Sequence, residues 1–262
     1  MTKAILTVAC IVALITVALL IGCEAPITKK TAGPITTREY NFTDFTSIEI
    51  GYDFKLEVTH ADTYSISINA NDSIFDHIDV SKIGDKLKIG LDNPFFRLFK
   101  FRSPSVKITM PELRGLYLSG AIEGNVTGFE SSQDFDLTLS GASELNLDME
   151  TGDFKCETSG TSEVSGYLKA ASSYMVLSGA SNIEINGSGG DIIIDASGTS
   201  QVDLANFTVN DADVSFSEAS NGSLNINGRL DVTLSGLSTL EYTGNPTLGN
   251  FKISGGSELQ RR

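Results

Sequence analysis

Tryptophan is absent from this 262-residue chain, histidine occurs twice, cysteine three times, proline six times, and 19 Lys+Arg are outnumbered by 33 Asp+Glu. So few cations in a chain of formal charge −14 exclude a free-standing nucleic-acid binder, because little is available to displace counterions from phosphates. The two histidines, His60 and His77, come with no HExxH or CxxC spacing, so no zinc centre is expected and both read as surface residues. No histidine follows His77 to activate a serine in the second half. There is no GxGxxG opening a helix and no Walker-type phosphate loop, so no cofactor and no metal are expected. What is present is a 40% hydrophobic share with 25 glycines, enough for a sizeable core and unlike a disordered acidic chain. The acidity is also placed unevenly: residues 1–112 carry 12 basic and 13 acidic side chains, whereas 113–262 carry 7 and 20.

The longest apolar run, Ala4 to Gly22, is interrupted only by Thr7 and Thr16 and is preceded by Lys3. It ends in Leu20-Ile21-Gly22-Cys23, which resembles the bacterial lipoprotein signal, with cleavage between Gly22 and Cys23 and a diacylglycerol on the Cys23 thiol. The alternative is an uncleaved membrane helix. Both place the rest of the chain outside the cytoplasm, held at a bacterial membrane as part of the cell envelope. If Cys23 is acylated and Cys10 leaves with the signal, Cys156 is the one free thiol and no intrachain disulfide can form. Residues 23–38, with two prolines and a Lys29-Lys30 pair, read as a tether.

From residue 116 a phrase recurs: Leu116-Tyr-Leu-Ser-Gly120, Leu137-Thr-Leu-Ser-Gly141, Cys156-Glu-Thr-Ser-Gly160, Met175-Val-Leu-Ser-Gly179, Ile194-Asp-Ala-Ser-Gly198, Val214-Ser-Phe-Ser-Glu218, Val232-Thr-Leu-Ser-Gly236 and Phe251-Lys-Ile-Ser-Gly255. Its serines are spaced by 21, 19, 19, 19, 20, 18 and 19 residues, and a second serine usually follows two positions past the glycine. Each unit holds two short runs of period-two alternation, and none shows helical spacing over ten or more residues. Such a unit cannot bury its own apolar side chains, so copies must stack as parallel strands. The expected fold is all-β: a single-stranded parallel β-helix, or β-solenoid, with coils of about 19 residues. Eight coils at about 4.8 Å give a rod on the order of 38 Å long. Glycine supplies the positive φ that a tight corner requires, and the serine hydroxyls are expected to satisfy corner amides or to bond along a ladder to the next coil. Glu218 replaces the corner glycine and marks an altered corner.

Residues 39–112 alternate less regularly, with turns expected at Asn71-Asp72 and Gly84-Asp85. This stretch reads as N-terminal coils and a cap over the first apolar cross-section, continuous with the repeats of 113–262 in one domain, 39–262.

Phe42-Thr-Asp-Phe-Thr-Ser-Ile-Glu-Ile, the passage from Met110-Pro-Glu-Leu113 into Leu118-Ser-Gly-Ala121, and the repeated Ser-Gly-Ala-Ser together resemble the auto-transporter adhesin head domain (head GIN domain) of bacterial envelope proteins. The resemblance covers about residues 40–262. It implies a single-stranded β-helix, commonly exported or lipid-anchored, with no established enzymatic activity.

Two surface features are candidates for contact. The polar position after the second serine reads Glu144, Glu163, Asn182, Gln201 and Asn221 on successive coils, an outward ladder that could face an extended envelope glycan or protein. Glu144 and Glu163 would lie close enough to perturb each other's protonation or share a Ca²⁺; the plainer reading is a solvated face. The segment Phe95, Phe96, Arg97, Phe99, Lys100, Phe101 interleaves aromatics with cations, suiting either an end cap or the anionic membrane surface. The sequence therefore favours a non-catalytic adhesin-like or scaffolding solenoid. A polysaccharide lyase or hydrolase on the same coil, and self-assembly through the solenoid ends, are the alternatives.

Overall fold

A computed structural model describes residues 33–92 and 103–262, and Gly33–Arg262 forms one compact unit. Cys23, Gly22 and the Phe95 to Phe101 segment lie outside the described residues. Alternation of period two is realised throughout: apolar side chains enter one continuous core and polar ones face out. The chain is a parallel β-solenoid of two strand stacks, as the repeat requires.

The first regular coil follows β1 (Ile35–Tyr40): it begins at β2 (Ser47–Tyr52) and continues into β3 (Lys55–His60). The next coil along the rod in this direction comes 68 residues later, where β8 (Gly115–Gly120) pairs with β2 and β9 (Glu123–Glu130) with β3. Between them the chain makes β4 (Ser65–Asn71), a 3-10 helix (Asp72–His77), β5 (Ile78–Ile83), β6 (Lys86–Leu91) and β7 (Ser105–Met110). β6 and β7 stack in parallel on the other side of β2 and β3, adding an outer coil. β4 then runs antiparallel to β7, β1 antiparallel to β4, and β5 antiparallel to β6, so strand direction reverses and the stacking terminates. Ile74 and Phe75 of the 3-10 helix are buried, which is why Asn71-Asp72 opens a helical turn instead of a bare hairpin.

Beyond β9 the coils follow one another: β10 (Phe135–Gly141), β11 (Glu144–Thr158), β12 (Glu163–Leu177), β13 (Asn182–Gly189), β14 (Ile192–Ala196), β15 (Gln201–Val209), β16 (Ala212–Phe216), β17 (Asn221–Ile226), β18 (Arg229–Leu234), β19 (Thr239–Gly244), β20 (Thr247–Ile253) and β21 (Glu258–Arg261). β8, β10, the second halves of β11 and β12, then β14, β16, β18 and β20 build the first stack. β9, the first halves of β11 and β12, then β13, β15, β17, β19 and β21 build the second. Asn186-Gly187 lies inside β13 beside a register shift that accommodates the extra residue of β15.

The corner chemistry differs from expectation in two respects. The second serines from Ser143 to Ser238 are buried and donate to the carbonyl oxygen of the first serine in their own coil, as Ser162 to Ser159 and Ser181 to Ser178, both 2.9 Å, while corner amides are met at two of the second serines, Ile122 N donating to Ser143 Oγ at 3.4 Å and Ser238 N to Ser257 Oγ at 3.3 Å. A carbonyl that turns inward after the last ladder bond has no strand partner, and the hydroxyl supplies one. The first serines donate to carbonyls of the preceding coil, for example Ser197 Oγ to Leu177 O at 3.3 Å. At Gly160 (φ +79°) an added Cβ would lie 2.3 Å from the Gly141 carbonyl oxygen, so the corner column selects glycine twice over, for φ and for space. Glu218 does not alter its corner: it takes φ +63° and keeps the amide bond of Ala219 to Gly198 O at 2.9 Å.

Cys156 sits in the innermost row between Leu137 and Met175, fully buried. Burial, reinforced by Glu157, pushes its thiol well above the ordinary range, so it is a core residue and not a nucleophile.

Candidate binding faces of the solenoid

The outward ladder exists as a physical row. Glu144, Glu163, Asn182, Gln201 and Asn221 are directly opposed on successive strands of the second stack, and the row extends through Glu123 to Lys55 on one side and Thr239 to Glu258 on the other. Its one tight ion pair is Lys55 Nζ to Glu123 Oε2 at 2.5 Å. The neighbouring outward row is cross-linked by its own side chains, with Asn146 Nδ2 donating to Ser165 Oγ at 3.3 Å and Ser223 Oγ to Asp203 Oδ1 at 2.5 Å. Among the described residues no group of three His, Cys, Asp or Glu side chains is arranged to hold a metal ion.

Two shallow grooves lie on the opposite face, outside the first stack. One shallow groove of about 210 Å³ is lined by Tyr117, Asp136, Thr138, Lys155 and Glu157. Lys155 Nζ is 2.8 Å from Glu157 Oε1, and that hydrogen bond holds the ammonium above its ordinary pKa. Desolvation raises the Tyr117 phenol, aided by Asp136, while Lys86 Nζ stands 3.8 Å over its ring. Asp136 and Glu157 thus share a groove, but Glu157 is already occupied by a cation.

The second groove, also about 210 Å³, crosses four coils. Its floor is two rows of small side chains, with Val176 followed by the polar Asp195, Ser215 and Thr233 in one and Ser178, Ser197, Ser217 and Ser235 in the other. Tyr174 and Ile193, 38% and 47% exposed, occupy the next outward row, and the Tyr174 hydroxyl donates to Asp195 Oδ2 at 3.4 Å. Ser178, Ser197 and Ser217 spend their protons on carbonyls of the preceding coil. What they present outward is therefore lone pairs, and with Asp195 the groove is an array of acceptors.

This groove was not anticipated from the sequence, which pointed to the second stack. The signal was nonetheless there: the Ser-Gly phrase places a column of small side chains at one edge of every strand of the first stack, and a bulky neighbour such as Tyr174 turns that column into a depression.

A family model described as "putative auto-transporter adhesin, head GIN domain" matches residues 44–246. The chain belongs to that family. Solved structures agree with the head GIN assignment in fold. A "putative lipid binding protein" from Parabacteroides distasonis superposes with a TM-score of 0.81 at 16% identity, covering 88% of this chain and 97% of its own. A "putative adhesin" from Parabacteroides merdae gives 0.81 at 14% identity, covering 88% and 97%, and one from Bacteroides fragilis 0.66 at 18%, covering 87% and 97%. No curated protein matches the sequence. Among the described residues of this head GIN protein no helix is long and apolar enough to cross a membrane.

Proposed function

We propose that the chain is a non-catalytic adhesin-like module of the bacterial cell envelope that holds an extended, hydroxyl-rich and uncharged polymer, a neutral glycan, along the outer face of its first stack. The observation that carries this reading is the groove over β12, β14, β16 and β18, where acceptor oxygens repeat once per coil beside Tyr174 and Ile193. Sugar hydroxyls donate to such a row, the apolar face of a pyranose lies on an exposed aromatic, and a repeat of about 4.8 Å suits a polymer whose units are of similar length. The surrounding negative charge disfavours anionic polymers. Lipid attachment at Cys23 after cleavage at Gly22 is the localisation that the sequence supports, and it would keep the solenoid at the membrane outside the cytoplasm.

The test is binding of the purified protein to a panel of neutral and anionic glycans, with Tyr174→Ala and Asp195→Ala as groove variants. Loss of neutral-glycan binding by at least tenfold in both, with unchanged melting temperature, is expected. Loss instead in Glu144→Gln or Glu163→Gln assigns the site to the second stack. Turnover of a glycan that Asp136→Asn or Glu157→Gln abolishes would make the chain an enzyme and end the proposal.

A further inference from the structure

Tyr174, the aromatic of the groove over β12, β14, β16 and β18, stands at the edge of that groove and not at its centre, because β12 is the first of the four strands. A polymer unit stacked on Tyr174 therefore has neighbours on both sides. On the side toward the antiparallel cap the next strand is the second half of β11, where Lys155 is in register with Tyr174 and Glu157 with Val176. Beyond it lie β10 and β8, and with them the groove of Tyr117 and Asp136. The two grooves share one outward row, which runs from Tyr117 through Thr138, Glu157, Val176 and Asp195 to Ser215 and Thr233 on consecutive strands. Every side chain in that row except Val176 carries an oxygen.

We infer, resting on the neutral-glycan reading, that the polymer held over β12 to β18 continues across the Lys155–Glu157 pair into the Tyr117 groove, so that the two grooves form one site. Strands spaced by about 4.8 Å from β8 to β18 make that site on the order of 29 Å long, room for about six sugar units. What stands between the grooves is the ion pair itself, with side chains 51% and 47% exposed, and a pair so exposed is weak. Glu157 spends one oxygen on Lys155, which leaves its other oxygen to accept from a sugar hydroxyl and the remaining ammonium protons to donate to one. Thr138 and Asp136 then offer acceptors one strand further on, in the positions that Ser215 and Asp195 fill beyond Tyr174. The site stops at Tyr117. Its ring occupies the space over Gly115, where an added Cβ would stand 3.0 Å from ring Cε2, and Lys86 Nζ lies 3.8 Å over it. The next residue of the row, Glu49, is in register with Tyr117 and is held by Lys86 and Lys88 at 3.5 and 3.0 Å. Small side chains thus give way to long, cross-braced ones, and the length of the site is set at that end.

Calorimetry of the full chain in a non-glycosidic detergent tests this, with linear cello-, manno- and chito-oligosaccharides of four, six and eight units as probes. In the series that binds, the six-unit oligomer is expected to bind at least tenfold more tightly than the four-unit one, and the eight-unit oligomer within twofold of the six. Asp136→Ala removes an acceptor of the Tyr117 groove and Thr138→Arg fills its floor. Both are expected to keep the four-unit affinity within twofold of wild type and to lose the six-unit gain, whereas Tyr174→Ala weakens every length. Equal affinity for four and six units in the wild type, a six-unit gain retained in both variants, or an equal loss at four and six units in both would overturn the inference. Should Thr138→Arg unfold, Asp136→Ala decides alone. Four-unit binding that depends on Tyr174 without a six-unit gain overturns the continuous site and leaves the glycan reading standing; no binding at any length overturns both.

Discussion

The hydroxyl of Ser200, fully buried, donates to the carbonyl oxygen of Ser197 three residues earlier at 2.8 Å. Ser143, Ser162, Ser181, Ser220 and Ser238 make the same bond in their own coils. The first serines differ from the second in kind, since they are part-exposed and reach a carbonyl of the preceding coil. At the corners that begin with Ser140, Ser178, Ser197 and Ser217, one hydroxyl thus closes the turn and another joins two turns.

Ser200→Ala leaves the Ser197 carbonyl buried without a donor, and the expected cost is about 1–2 kcal/mol. Ser197→Ala removes a longer bond at a site that water reaches, and the expected cost is below about 0.5 kcal/mol. Urea denaturation of the two single variants checks the ranking. Equal midpoints would show that the buried hydroxyls do not hold the corners.

Glu218 stands in a column of glycines with φ +63°, and the Gly236 position directly after it leaves room for a Cβ only 2.3 Å from the Glu218 carbonyl oxygen. A left-handed non-glycine residue costs about 1–2 kcal/mol, offset in part by the greater unfolded-state freedom of glycine. Glu218→Gly is therefore expected to stabilise the fold by about 1 kcal/mol. Gly160→Ala, which forces a Cβ onto the Gly141 carbonyl, is expected to destabilise it by more than about 2 kcal/mol. Paired thermal melts give both signs; a destabilised Glu218→Gly would mean that the glutamate side chain contributes something its backbone strain conceals.

The solenoid was legible because a coil must repeat its inward residues, its corner glycine and its buried serine, and all three recur at nearly constant spacing from Leu116 to Gly255. The cap was less so. That β6 and β7 lie outside β2 and β3, reversing the order of the chain, depends on antiparallel pairing across Ser65–Asn71 and Ile78–Ile83, and alternation carries no sign of strand direction. The outward ladder from Glu144 to Asn221 was readable since register follows from the repeat. The groove was not, because concavity arises between rows: Tyr174 on one coil reaches Asp195 on the next.

Acid sensitivity should concentrate at Asp231. Its carboxylate accepts from Arg229 Nε at 2.6 Å and from the Asn250 amide at 2.6 Å, and these hydrogen bonds hold it far below the usual carboxylate range. A group with a depressed folded-state pKa contributes stability that is complete above its unfolded value, near 3.9, and declines as pH falls toward the folded one. The melting-temperature gap between wild type and Asp231→Asn is expected to stay constant from pH 7 to about pH 5 and to shrink below about pH 4. The same gap at pH 3 as at pH 7 would refute the assignment. Because Arg229 is half exposed, the gap should also narrow in high salt.

The core itself contains one position that its neighbours contradict. Thr158 occupies an inward row whose other members include Leu139 and Leu177, and its hydroxyl is buried with no hydrogen-bond partner. Valine has nearly the same shape, favours strands equally, and removes the unpaired hydroxyl from an apolar interior, where such a group costs about 1–3 kcal/mol. Thr158→Val should raise the unfolding free energy by about 1 kcal/mol, read as a shift of the urea midpoint at unchanged slope. Thr158→Ser keeps the hydroxyl and loses the methyl, so it should fall below wild type. If both variants lose stability, the hydroxyl has a partner, and an ordered water beside Thr158 is the arrangement to look for.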